Sequence, residues 1–367
     1  MKSITYCNFP TRQEALTPKK PKNPNRMDWI SFAAVISCLA VMYLHVNGCY
    51  WDGKIHEDWF ASANAIESIF YFAVPVFFMI SGSTLLDFYK RYGIKDYILK
   101  RVIKTVIPYV IWSLLSVSIY IMRGKLDPTK VDFMYILKGL SAGNLLSIYW
   151  FFTSLFCVYL SIPLYAAISE DKRKTVFTYL ATVGFFFNIL MSFLKGYYKW
   201  DITLSLSVGV LSSYLFFVPI GYLISHYKMH WSIRITVYAI GICGLLIHLV
   251  SGYEFSMINN KMFTGYKGYL NMPCILYSVA IFVFFRYAGS LIMKFKIPCK
   301  IFTFLSGFTF SVYLIHQHLI FIFVEKWNID RTLLHYRLLF PFFLLGIIVF
   351  AVWLIRKIPY AKYILPS

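Results

Sequence analysis

MDWISFAAVISCLAVMYLHV, residues Met27–Val46, carries one acidic residue at its start and then runs for 18 residues without Asp, Glu, Lys or Arg. A helix needs about 20 mostly apolar residues to cross the roughly 30 Å hydrocarbon core of a bilayer. The stretch has the length and composition of one crossing, a helix over about 28–48. Outward from it, apolar runs bounded by charge, Gly or Pro recur at about 64–86, 102–122, 145–168, 175–194, 203–225, 231–251, 269–289, 299–324 and 334–355. None alternates as a barrel strand does, and in lipid only helices or closed barrels satisfy their backbone polar groups. The expected fold class is an all-α integral membrane protein, a bundle of about ten transmembrane helices.

Composition agrees. Of 367 residues, 59% are hydrophobic and only 14% charged, against roughly 25% charged in a soluble domain. A soluble enzyme, a disordered chain and a small secreted domain are excluded. The formal charge of +20 would suggest nucleic acid in a soluble protein, but no RNA- or DNA-binding module accompanies it, and no nucleic-acid partner is expected. Basic residues are retained on the cytoplasmic side of a bilayer and face its anionic lipids. With the N-terminus inside, 24 Lys and Arg fall on the inner side and 12 on the outer, so both termini are expected in the cytoplasm of a multi-pass protein of the cell (plasma or inner) membrane. Residues 1–27 hold four prolines and lack the apolar core of a signal peptide. They read as a cytoplasmic tail, followed by one membrane domain over 28–357 and a short cytoplasmic tail over 358–367. The cysteines and histidines show neither C-x-x-C nor His pairs at metal spacing, so no metal is expected.

Four segments carry residues able to do chemistry. His45 lies about 25 Å along the first helix at 1.5 Å per residue, near its outer mouth, where a neutral imidazole can take a proton from a hydroxyl; an interfacial histidine beside Asn47 and Trp51 is the plainer reading. His316, in FSVYLIHQHLI, is about equally far into the ninth run and can face the same cavity, or simply pack between helices; His318, two positions on, points elsewhere. In AVPVFFMISGSTLL, Ala73–Leu86, the small residues Ser81-Gly82-Ser83 admit a close-packed backbone or an acyl chain. Upstream on the same run, Glu67 is placed to orient His45 or to remain solvated. LKRVIKTVIPYVIW opens the third run with Arg101 and Lys104 three residues apart, hence on one helical face. They suit either the phosphates of a cytosolic nucleotide-type donor or lipid headgroups.

Together these segments, with IYWFFTSLFCVYLSIPL, resemble the membrane-bound acyltransferase 3 family, in particular its surface-polysaccharide O-acyltransferase branch. The pieces occur in the family's order and span nearly the whole chain. The resemblance implies an enzyme that passes an acyl group, usually acetyl, from cytosolic acyl-coenzyme A (acetyl-CoA) to a hydroxyl of a cell-surface polysaccharide or its lipid-linked precursor. By that likeness His45 is the catalytic histidine, with Glu67 and His316 beside it; Arg101 and Lys104 sit at the donor side, and Phe78, Ser81 and Gly82 belong to the functional FF-x-I-S-G segment. Two positions depart from the pattern: Ala34, eleven residues before His45, and Tyr71, before Ala73-Val74-Pro75, stand where relatives carry arginine. A transporter or flippase of a small molecule or lipid-linked sugar, or a catalytically silent relative, is the alternative reading.

Overall fold

A computed structural model describes residues 27–198 and 213–366. All but the last residue of the tail expected over 1–27, and most of the first half of the run expected over 203–225, lie outside them. The described chain is helical throughout, with no strand among the described residues: α1 (Trp29–Val46), α2 (Phe60–Phe70), α3 (Ala73–Leu85), α4 (Ile94–Arg101), α5 (Ile107–Met122), α6 (Phe133–Ala142), α7 (Trp150–Ala166), α8 (Glu170–Val183), α9 (Met191–Tyr198), α10 (Phe217–His226), α11 (Trp231–Ile258), α12 (Met272–Phe284), the single turn α13 (Ser290–Ile292), α14 (Lys296–Ser306), α15 (Thr309–Trp327) and α16 (Leu334–Ile355). Eight continuous spans among the described residues are long and apolar enough to cross a membrane, and α14 with α15 makes a ninth if that bent pair counts as one. The chain is a multi-pass membrane protein. Nine of the ten predicted runs coincide with these spans; the tenth is represented by the apolar helix Ser213–His226.

Spans α1 and α2–α3 are the most buried, whereas α8–α9 and α11 turn most of their surface outward. Lipid is as apolar as leucine, so helices in it are held by close packing and hydrogen bonds rather than by expulsion of water. The crossing of α3 and α10 shows this. A Cβ on Gly82 would stand 2.1 Å from the Val218 carbonyl oxygen, and one on Gly221 would stand 2.1 Å from that of Met79. Each glycine therefore admits the other helix's backbone. Ser83 Oγ lies 2.9 Å from the Gly221 carbonyl oxygen and Ser225 Oγ lies 2.5 Å from Ser83 Oγ, which closes the crossing with a buried hydroxyl chain.

Two breaks in regularity differ from the sequence reading. The ninth run is not one straight helix: α14 and α15 meet at 64°. The break leaves the Gly307 carbonyl without a helical partner, and Arg356, at the end of α16, donates to it at 2.9 Å and to Ser311 Oγ at 3.0 Å. Irregular backbone at membrane depth persists where protein groups satisfy it. The third run begins as α4, passes through a π-helical segment, Val102–Val106, and continues as α5 with Pro108 in its first turn. That wider turn shifts every side chain before it relative to those after.

Candidate active site

In α1, Ala34, Cys38 and Val41 fall at i, i+4 and i+7, a single helical stripe, and His45 at i+11 continues it. With Met42, the first three line one wall of a cavity of ≈ 230 Å³. The facing walls show the same spacing: Val74, Phe77, Ser81 and Thr84 from α3, Phe151, Leu155 and Tyr159 from α7, and Thr309, Val312, Tyr313 and His316 from α15. Arg101 stands at the end near Thr84, Leu85 and Tyr159, and His316 lies at the other. The cavity thus runs between four helices from a cation to a histidine, its walls mostly apolar.

His316 is buried and its ring is held in one orientation. Nδ1 lies 3.0 Å from the Val312 carbonyl oxygen and 2.8 Å from that of Tyr313. Carbonyls only accept, so Nδ1 carries the proton and Nε2 presents its lone pair. Nε2 has no hydrogen-bond partner among the described residues. The His45 ring is 5.1 Å away, centroid to centroid, tilted by 44°, and makes no hydrogen bond to a described residue. A half-buried imidazole therefore faces a second imidazole of fixed tautomer. His318 turns to another helix, within 3.0 Å of Ser116 Oγ and stacked on Trp112.

Arg101 lies between the rings of Tyr97 and Tyr159, 5.6 and 5.2 Å from their centroids. Its buried Nε has no hydrogen-bond partner among the described residues, and it is the one Lys or Arg among those lining the cavity. Lys104 does not share its face. The π-helical turn after Arg101 displaces it, leaving Lys104 exposed and off the cavity. Ala34 lines the cavity with a methyl group, so Arg101 supplies the positive charge there.

Of the FF-x-I-S-G segment, Ser81 reaches the cavity. Phe78 is fully buried against Tyr214 and Phe151, 4.6 and 5.2 Å away. Gly82 faces α10 at the crossing described above, so its smallness serves another backbone and not an acyl chain.

Glu67 does not bond to His45. Its carboxylate accepts from Asn47 Nδ2 at 3.4 Å and from the Trp51 indole at 3.2 Å. Asn47, the C-cap of α1, also donates to the Ala63 carbonyl at 2.9 Å and accepts from Arg337 at 3.3 Å. Arg337 donates as well to Ser62 Oγ at 2.7 Å and the Thr332 carbonyl at 3.0 Å. These bonds fix the last turn of α1, and with it His45, to α2 and α16. Lys267 donates to Ser68 Oγ at 2.8 Å, and burial lowers its ammonium pKa to about 8, with the Glu67 carboxylate pulling the other way. Arg337 and Lys267 are 1% and 8% exposed. Both read in the sequence as outer-loop charges; nothing in their neighbours marks them as buried.

The acyltransferase 3 family profile, described as an acyltransferase domain, matches residues 27–356. No curated protein and no solved structure is significantly similar to the chain. The matched segment begins just before α1 and ends just after α16, enclosing every helix that lines the cavity, and the chain belongs to the acyltransferase 3 family of membrane proteins.

Proposed function

We propose that the protein is an O-acyltransferase of the cell membrane, taking an acyl group, in the simplest case acetyl, from acyl-coenzyme A and delivering it to a carbohydrate hydroxyl of a surface polysaccharide or its lipid-linked precursor. The observation that carries this reading is the cavity joining Arg101 to His316, whose ring lies beside His45. Arg101 binds donor phosphate at the cytosolic end through charge-assisted hydrogen bonds, and the apolar walls take the thioester arm.

At the far end His45 acts as general base. It takes the proton of the acceptor hydroxyl, the oxygen attacks the thioester carbonyl carbon, the carbon–sulfur bond breaks, and the proton ends on the departing thiolate. The Nε2 lone pair of His316 is the orienting group, accepting from the other His45 nitrogen when that ring turns toward it and so stabilising the imidazolium. Glu67 supports the arrangement through Asn47 rather than through His45 itself.

The test is thiol release from acetyl-CoA by purified protein with membrane polysaccharide present, for wild type and His45→Ala. Release that the substitution abolishes, with folding intact, is expected. Absence of release from folded wild type across several acyl donors and sugar acceptors overturns the reading in favour of transport or of a silent partner, which Ala34 would then explain.

A further inference from the structure

Beyond the cavity, at the end of α1 that carries His45, four aromatic rings from four separate segments form a continuous wall. Tyr71 at the α2–α3 junction stacks on Tyr269 with centroids 4.4 Å apart; Tyr269 stacks on Trp150 at 5.6 Å; Trp150 meets Tyr214 at 5.8 Å. Several tyrosine hydroxyls in the bundle are tied to neighbouring backbone: those of Tyr43, Tyr97, Tyr149 and Tyr277 donate to the carbonyls of Leu338, Tyr159, Leu314 and Ile69 at 2.7 to 3.1 Å, while those of Tyr50 and Tyr336 are enclosed and bond to no described residue. The hydroxyls of Tyr71, Tyr214 and Tyr269 make no hydrogen bond to a described residue, although Tyr71 is buried. Unlike the hydroxyls of Tyr50 and Tyr336, these three are not enclosed, so each keeps accessible surface from which it can bond a ligand.

The groups beside this wall are polar and fixed. Glu67 precedes Tyr71 by four residues and so shares its side of the helix; Lys267 precedes Tyr269 by two. The carboxylate is held by Asn47 and Trp51 and the ammonium by Ser68. An aromatic surface takes the apolar C–H face of a pyranose ring, while tyrosine hydroxyls, a carboxylate and an ammonium between them donate to and accept from its hydroxyls. An acyl chain would leave the three tyrosine hydroxyls unpaired, and a phosphate would meet a carboxylate beside the lysine. Trp150 is followed by Phe151, which lines the cavity, and Asn47 follows His45 by two residues.

We infer that Tyr71, Trp150, Tyr214 and Tyr269, with Glu67 and Lys267, form a pyranose-binding subsite. That the bound sugar is the acyl acceptor rests on the function proposed above; the binding itself does not.

The probes are methyl glycosides of glucose, galactose and N-acetylglucosamine, with sorbitol as an acyclic polyol lacking a ring face. Saturation-transfer NMR on the protein in lipid nanodiscs is expected to show transfer to the ring C–H protons of at least one glycoside and none to sorbitol. Trp150→Leu and Tyr269→Leu should weaken binding by about tenfold or more, the triple variant Tyr71→Phe/Tyr214→Phe/Tyr269→Phe by about three- to tenfold, the scale of lost hydrogen bonds. That triple variant removes hydroxyls that bond to no described residue, so it should unfold at the wild-type temperature.

Absence of transfer to every glycoside, equal transfer to sorbitol, or full binding by the variants overturns the subsite. Thiol release on the same preparations separates the two proposals. Sugar binding lost in the variants, with wild type inert as a transferase, upholds the subsite and removes the catalytic reading. Acyl transfer by wild type with an unchanged sugar KM in every variant removes the subsite alone.

Discussion

His316 and Arg101 differ from their neighbours His318 and Lys104 in what surrounds them, and that difference decides what each substitution does. His316→Gln keeps a polar side chain of similar reach but cannot act as an imidazole acceptor of fixed tautomer. Loss of such a group lowers kcat by about 10²–10⁴, with the KM for acyl-CoA nearly unchanged, whereas His318→Gln, on the Ser116 face, should leave kcat within a few-fold of wild type. Steady-state kinetics with varied donor reads both. Arg101→Ala should instead raise the KM for acyl-CoA by about ten- to a hundredfold, the worth of one or two charge-assisted hydrogen bonds, while Lys104→Ala, exposed and off the cavity, leaves it unchanged. Lys267 gives a pH-dependent prediction. Its folded pKa of about 8 lies below the ordinary lysine value, so between those two pH values the unfolded chain binds more protons, and the stability this group confers is lost as pH falls through about 8. Thermal unfolding of Lys267→Met should therefore show a shallower rise of Tm between pH 8 and 10 than wild type. In the sequence, Ala34 and His45 could be set on one face because three turns of helix bring positions eleven apart together; Cys38 and Val41, which line the cavity with Ala34, carry no chemistry that marks them out. The bond of Arg337 to Asn47 was not legible, because it depends on how the start of α16 packs against the end of α1, 290 residues away.

At the scale of elements, the run lengths predicted the helices but not their irregularities. Periodicity over 299–324 is continuous through Gly307, and nothing in it says that the chain turns by 64° there. The turn is held by Arg356, which reaches the Gly307 carbonyl from α16 and lies over the Phe308 ring at 4.6 Å. Arg356→Leu should free that carbonyl, loosen the entry into α15 and with it His316. The expected outcome is a lower Tm in detergent and a loss of acyl transfer that exceeds the loss of folded protein. The π-helical segment after Arg101 was equally silent, since its hydrogen-bond shift leaves no mark on composition; reading the segment as regular helix is what put Lys104 on the wrong face. Gly82 was legible as a close-packing residue, but its partner was not. A Cβ there meets backbone rather than a yielding side chain, and overpacking costs about 1–3 kcal/mol. Gly82→Ala should lower Tm, and Gly221→Ala should lower it comparably, since both separate α3 from α10.

For the whole molecule, composition and run length placed nine of ten spans because the bilayer imposes one length on every crossing, but which way the bundle faces rests on charge asymmetry. Of the 12 Lys and Arg assigned to the outer side, Lys267 and Arg337 are inside the protein and interact with its own groups rather than with lipid. On the inner side Arg173 is buried as well, paired with Asp87, so removing these buried residues leaves 23 inner against 10 outer, which strengthens the bias toward the side holding Arg101. That orientation matters for chemistry, because acyl-CoA is cytosolic and the cavity has its one cation at that end. Single cysteines introduced at exposed positions on the two sides, in a background with the native cysteines replaced, test it directly. A membrane-impermeant maleimide added to intact cells should label Glu57→Cys and Lys130→Cys, and should label Asp96→Cys and Asp171→Cys only after the membrane is opened. The reverse pattern would put Arg101 on the outer face, away from the donor, and would remove the route proposed for the acyl group through the cavity toward His45.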